Sequence, residues 1–96
     1  MAMAAEAMWN SEEWTVDTKD LWLSAFLLSE RALLSDVRVQ RINGKREAVF
    51  FLTGKNVLQL QSDYRAGIAK SNVMLLQRNL KYLKDIIFRE VGLVGR

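Results

Sequence analysis

Residues 36–53 read Asp-Val-Arg-Val-Gln-Arg-Ile-Asn-Gly-Lys-Arg-Glu-Ala-Val-Phe-Phe-Leu-Thr, and how they are read decides the fold. Asn43-Gly44 stands between two runs rich in β-branched and aromatic residues. A two-residue type I′ turn needs φ > 0 at both central positions, and Asn-Gly adopts it at little steric cost. The stretch therefore predicts a β-hairpin. Its register follows from the turn: Ile42 opposite Lys45, Gln40 opposite Glu47, Val39 opposite Ala48 and Val37 opposite Phe50. Side chains alternate between faces along a strand. One face then holds Val37, Val39, Ala48, Phe50 and Leu52, with Arg41 and Arg46 near the tip. The other holds Arg38, Gln40, Ile42, Lys45, Glu47, Val49 and Phe51. The first is the better core face, although a slip of one residue would exchange the two.

Composition bounds what surrounds the hairpin. The chain has 96 residues, enough for one modest core. Half of them are hydrophobic and 26% are charged, a globular balance rather than a disordered one. Cysteine, histidine and proline are absent. That excludes disulfides, thiolate chemistry, zinc sites built on His or Cys, and His-dependent triads. No cofactor is expected. Residues 1–8 are Ala- and Met-rich, lack a basic start and contain Glu6, so they do not read as a signal peptide. No apolar run approaches the ~18 residues of a membrane span. A cytoplasmic location is expected. The net charge of +3 hides an asymmetry. Residues 1–36 hold two basic and seven acidic side chains, whereas residues 37–96 hold twelve basic and four acidic. Such a split means either self-neutralisation in the fold or a basic surface for an acidic partner.

Residues 1–14 show no clear period and read as an arm in which Trp9 and Trp14 flank Ser11, Glu12 and Glu13. Tryptophans in an arm need a surface to pack on, because each ring buries a large area. Residues 15–31 read as a helix, with Asp17 or Thr18 as N-cap and Asp20 in the first turn. Leu21, Trp22, Leu23, Ala25, Phe26, Leu27 and Leu28 make it apolar on more than one side. A run this short also fits a buried strand; the capping residues and the Leu/Ala content favour helix. Beyond the hairpin, Gly54 ends the second strand and residues 56–64 predict a short helix with Val57, Leu58, Leu60 and Tyr64 inward. Gly67 marks a break. Ser71 is the expected N-cap of a long helix over residues 72–91, with Gly92 past its end. Val73, Leu76, Leu80, Leu83 and Ile87 recur at helical spacing and form one face, widened by Leu75, Tyr82 and Ile86. Gln77, Arg78, Lys81, Lys84, Asp85 and Arg89 fall largely on the outer side. The expected fold is α+β: helix, β-hairpin, short helix and long C-terminal helix in one domain over residues 15–96. Its expected core is Leu23, Phe26, Leu27, Val39, Phe50, Leu76, Leu80, Leu83 and Ile87.

Residues 18–28, Thr-Lys-Asp-Leu-Trp-Leu-Ser-Ala-Phe-Leu-Leu, resemble the opening of a small family of bacterial and phage proteins, roughly T-x-D-L-Y-L-A-A-F-L-L. Trp22 stands where that family has Tyr. The family continues with a Gly-tipped hairpin and a V-x-F-x-F strand, which Gly44 and Val49-Phe50-Phe51 resemble, and with a helix carrying a Leu-Lys pair, which Leu83-Lys84 resembles. The resemblance spans about residues 15–90. It implies the same α+β architecture. The family is a domain of unknown function, so the resemblance implies no activity.

The sequence contains no constellation that points to catalysis. The five glycines are scattered and form no phosphate loop. Glu12-Glu13 and Asp17 with Asp20 are explained by capping and solvation, and Lys70-Ser71 by a helix cap, so no catalytic, cofactor-binding or metal residue is assigned and the protein is expected not to be an enzyme. Two binding readings remain. The first is protein interaction with self-association, most simply a homodimer, its competing solution being an arm that folds back as an extra strand or helix and covers the hairpin edge within one chain. Residues 48–52 would form a hydrophobic edge strand, the helix over 15–31 carries more apolar surface than one hairpin covers, and the arm needs a partner surface. Trp9, Trp14, Val49 and Phe51 are the interface candidates. The alternative is nucleic-acid binding through a basic hairpin. Arg38, Arg41, Lys45 and Arg46 would hold phosphates, with Lys55 just beyond and Phe51, on the face of Arg38 and Lys45, to stack a base.

Overall fold

The structure, a computed structural model, describes residues 13–92. Element order is β1 (Trp14–Thr18), α1 (Leu21–Ser29), β2 (Leu33–Ile42), β3 (Lys45–Gly54), α2 (Val57–Ala66) and α3 (Val73–Ile87), followed by a π-helical turn over Phe88–Gly92. The three strands form one antiparallel sheet in the order β1-β3-β2. The fold is α+β, as the sequence predicts.

The hairpin register is the one that Asn43-Gly44 dictates: Ile42 pairs with Lys45, Gln40 with Glu47, Val39 with Ala48 and Val37 with Phe50. Asn43 and Gly44 both take positive φ, 54° and 82°, as a type I′ turn requires. Toward the base, Leu34 pairs with Leu52 and Asp36 with Phe51, so Ser35 is an extra residue in β2. Its hydroxyl donates to the Phe51 carbonyl at 3.0 Å.

Residues 14–18 overturn part of the sequence reading. They are strand, not arm or first helical turn. Trp-Thr-Val-Asp-Thr is rich in β-branched residues with an aromatic at its start, and Val16 pairs with Leu52 on the core face while Asp17 pairs with Phe51 on the other. β1 thus covers the edge of β3 that the sequence left open, and β3 becomes the central strand. The helix starts later as a consequence. Asp20, not Asp17 or Thr18, is its N-cap, accepting the Leu23 N–H at 3.0 Å. Thr18 instead accepts the Asp20 N–H through its hydroxyl at 3.0 Å.

α1 is buried from Leu23 through Leu27 without interruption. Its apolar surface is shared among the sheet, α2 and α3. The core gathers Leu23, Phe26, Leu27, Phe50, Leu52, Val57, Leu80, Leu83 and Ile86, among others, and Leu76 and Ile87 pack half-buried against it. Val39 is the correction to the expected core: it is 39% exposed, because it lies on β2, an outer strand of the sheet, whereas Ala48 opposite it on the central strand is buried. Leu58 and Val73 are likewise exposed, at 46% and 65%. Asn79 links α3 to α1, donating to the Ser29 hydroxyl at 3.0 Å. Phe26 stacks on Tyr64 of α2, with ring centroids 5.8 Å apart. Burial raises the Tyr64 phenol above its ordinary pKa, and the nearby charge of Asp20 acts in the same direction.

Helix ends also differ from expectation. Asn72 caps α3, its side chain accepting the Leu75 N–H at 3.0 Å, while Ser71 precedes the cap. α2 closes on Gly67 at φ 79°, with Gly67 N–H donating to the Tyr64 carbonyl and Ile68 N–H to the Asp63 carbonyl. α1 closes the same way on Arg31 at φ 76°, with Arg31 N–H on Leu28 and Ala32 N–H on Leu27.

Candidate functional site

β1 pairs with β3 from Gly54 to Phe50 and no further. Beyond that point β3 has only β2 beside it, so the hairpin continues outward as a two-stranded ribbon. Its last three pairs, Gln40–Glu47, Arg41–Arg46 and Ile42–Lys45, carry the charges that the sequence singled out. Arg41 and Arg46 lie directly opposite each other, both exposed, on the face that carries the core lower down. Lys45 lies on the other face. Like charges directly across a strand pair destabilise it, and among the described residues no carboxylate pairs with Arg41, Lys45 or Arg46. The Arg41 guanidinium donates to the Gly44 carbonyl at 3.2 Å, which holds it over the turn. The one acid of the tip, Glu47, is taken by Lys19 at 2.9 Å.

The other candidates are placed differently. Arg38 Nε donates to Asp36 Oδ2 at 2.8 Å, and the guanidinium lies 4.8 Å from the centroid of the Phe51 ring. That hydrogen bond is the main reason the Asp36 carboxyl titrates below its ordinary range. Phe51 is half-buried beneath this cation, so its ring is already stacked. Lys55 follows the far end of β3, one full strand away from the tip. Of the five proposed nucleic-acid residues, the fold therefore brings Arg41, Lys45 and Arg46 together at the tip and sets Arg38 and Phe51 as a pair nearer the base.

Among the interface candidates, Trp9 lies outside the described residues. Trp14 opens β1 opposite Gly54 and is 51% exposed. Val49 is 6% exposed and presents almost no surface. The sequence reading missed a larger feature. Trp22, on the otherwise buried α1, is 54% exposed and borders a shallow groove with Gln77, Leu80, Lys81, Lys84 and Asp85 of α3. Val73 and Met74, each 65% exposed, continue the apolar surface toward the start of α3. Lys81 and Lys84 were legible as an outer face of α3. Their meeting with Trp22, some sixty positions away in the chain, depends on how α1 packs on α3.

A second concavity, about 290 Å³, lies at the base of the sheet between Glu13, Glu30, Arg31, Leu33, Lys55 and Asn56. Its volume is at the lower limit of small-molecule pockets, and those have mostly apolar walls. Among the described residues no group of three or more Asp or Glu could hold a metal ion, and no helix is long and apolar enough to cross a membrane. No family model, curated protein or solved structure matches the chain.

Proposed function

We propose that this protein is a small non-enzymatic interaction module that works as a self-associated unit, with the Trp22 groove as its contact surface. The observation that carries this is the half-exposed indole on a helix whose next five residues are all buried. Tryptophan is costly to leave in water and is enriched where interfaces form. The surface that the sequence nominated for pairing, the β3 edge, is occupied by β1, so the contact moves to the helices. A two-fold axis across α3 would lay each Trp22 against the other copy's groove and bury Val73 and Met74 within the same patch. Asp17 and Asp20, exposed near the start of α1, would give each copy an acidic neighbour for the other's Lys81 and Lys84.

Light scattering coupled to gel filtration at high micromolar concentration tests the reading. The expected mass is twice the 11.0 kDa of one chain. Trp22→Ser is expected to give the single-chain mass with the fold intact by circular dichroism. A parent protein that runs as a monomer overturns self-association. A dimer that survives Trp22→Ser moves the contact away from the groove, toward the outer edge of β2, which no strand among the described residues pairs with.

A further inference from the structure

We infer that the hairpin tip is a finger that enters the major groove of duplex DNA. This rests on the tip alone and is independent of the Trp22 contact. The part of the ribbon beyond Val39 and Ala48 comprises three residue pairs and the Asn43-Gly44 turn, a length of about 10 Å at the rise of an antiparallel strand. A B-form major groove is about 8.5 Å deep and about 12 Å wide, and a two-stranded ribbon fits it. Among the described residues the finger carries Arg41, Lys45 and Arg46 without a compensating acid, since Lys19 holds Glu47. The cross-strand Arg41–Arg46 pair is unfavourable as it stands, and phosphates on both sides of a groove relieve it. Gln40 and Asn43, both exposed, add the amide groups that read base edges.

The same geometry decides between nucleic acids. Single strands are held by aromatic platforms. The finger has no aromatic residue, and the Phe51 ring below it is covered by Arg38. The deep, narrow major groove of duplex RNA does not admit the ribbon. An anionic membrane would take the three cations equally well but has no use for the rigid, preset shape of the finger.

Fluorescence anisotropy with a labelled DNA duplex of about 20 base pairs tests this at about 50 mM salt, where phosphate contacts are strong. The parent is expected to bind the duplex, with log K falling against log [salt] at a slope of about −3 for three phosphate contacts. The variant R41Q/K45Q/R46Q should bind at least about tenfold more weakly, with its slope near zero. The equally charged control K55Q/R65Q/K70Q, whose changes lie on exposed positions away from the tip, should bind like the parent. Lys45→Glu alone gives a second reading from one exposed turn residue, should the triple variant fail to fold. The inference is overturned if the control loses as much as the finger variant, which would mean binding by general charge. It is equally overturned if the single strand or an RNA duplex of the same sequence binds as tightly, or if only phosphatidylserine vesicles retain the protein.

Discussion

The two halves of one hairpin are held by different forces. At its base, Phe50 and Leu52 are fully buried, β3 has a strand on each side, and α1 lies across the face. At its tip, β3 has one partner, and three exposed cations have no carboxylate partner among the described residues. An isolated two-stranded hairpin is marginal in water. The tip is therefore ordered by the base and by its Asn43-Gly44 turn, and it contributes little in return. The lesson is a division of labour along a single pair of strands: apolar burial fixes the register, and that fixed register presents a charged finger which would not hold its own shape.

The most severe challenge to this comparison is truncation at matched positions on the same face. Phe50→Ala removes a fully buried ring and is expected to cost about 3–5 kcal/mol in urea unfolding. Val39→Ala, two pairs nearer the turn and 39% exposed, should cost under about 1 kcal/mol, since only partly buried methyls are lost. Comparable losses at the two sites would mean that the tip shares the core's stability, and the division would fail.

The base was legible in the sequence because Asn-Gly fixes the register and a period of two then assigns the faces. The long helix was legible because Leu76, Leu80 and Leu83 recur at its period. β1 entered only as the alternative of an arm folding back as an extra strand, although Trp-Thr-Val-Asp-Thr has strand composition, because Asp17 and Thr18 resemble caps and the pairing partner lies more than thirty residues away. Local chemistry offered two structures there, and the vacant edge of β3 selected one. Helix ends show the same limit. Gly67 announces its left-handed turn, whereas Arg31 makes the same turn with no glycine to mark it. For the candidate site, the three tip cations could be listed from the sequence, but two facts could not: Arg38 spends its charge on Asp36 and its guanidinium face on Phe51, and Trp22 meets Lys81 and Lys84 across two helices.

A smaller effect sharpens the account of the tip. Arg46→Glu replaces the like-charged pair with Arg41 by an opposite-charged one at the same register position. It should raise stability by about 0.2–1 kcal/mol, read as an increased urea midpoint with an unchanged slope. A gain that persists at about 1 M salt, where the screening length is about 3 Å, would point to packing rather than charge. A loss would show that Arg46 is engaged in something the cross-strand pairing does not account for.

The smallest effect concerns the boundary between the halves, where Asp36 neutralises Arg38. The carboxyl is held below its ordinary range, first by the hydrogen bond from Arg38; desolvation opposes this, and the Val37 N–H and the Arg38 charge add to the lowering. A folded pKa lower than the unfolded one contributes stability that is present above the unfolded value and is lost as pH falls through the folded one. Because this carboxylate is exposed, solvent screens the pair, and the melting temperatures of parent and Asp36→Asn should coincide at neutral pH. The measurement that does respond is the NMR titration of the Asp36 carboxyl carbon. Its midpoint should lie lower in the parent than in Arg38→Gln. Equal midpoints would mean that the 2.8 Å contact is not maintained in solution. Arg38 would then be a fourth uncompensated cation, and the charged region would extend from the tip down to the rim of the base.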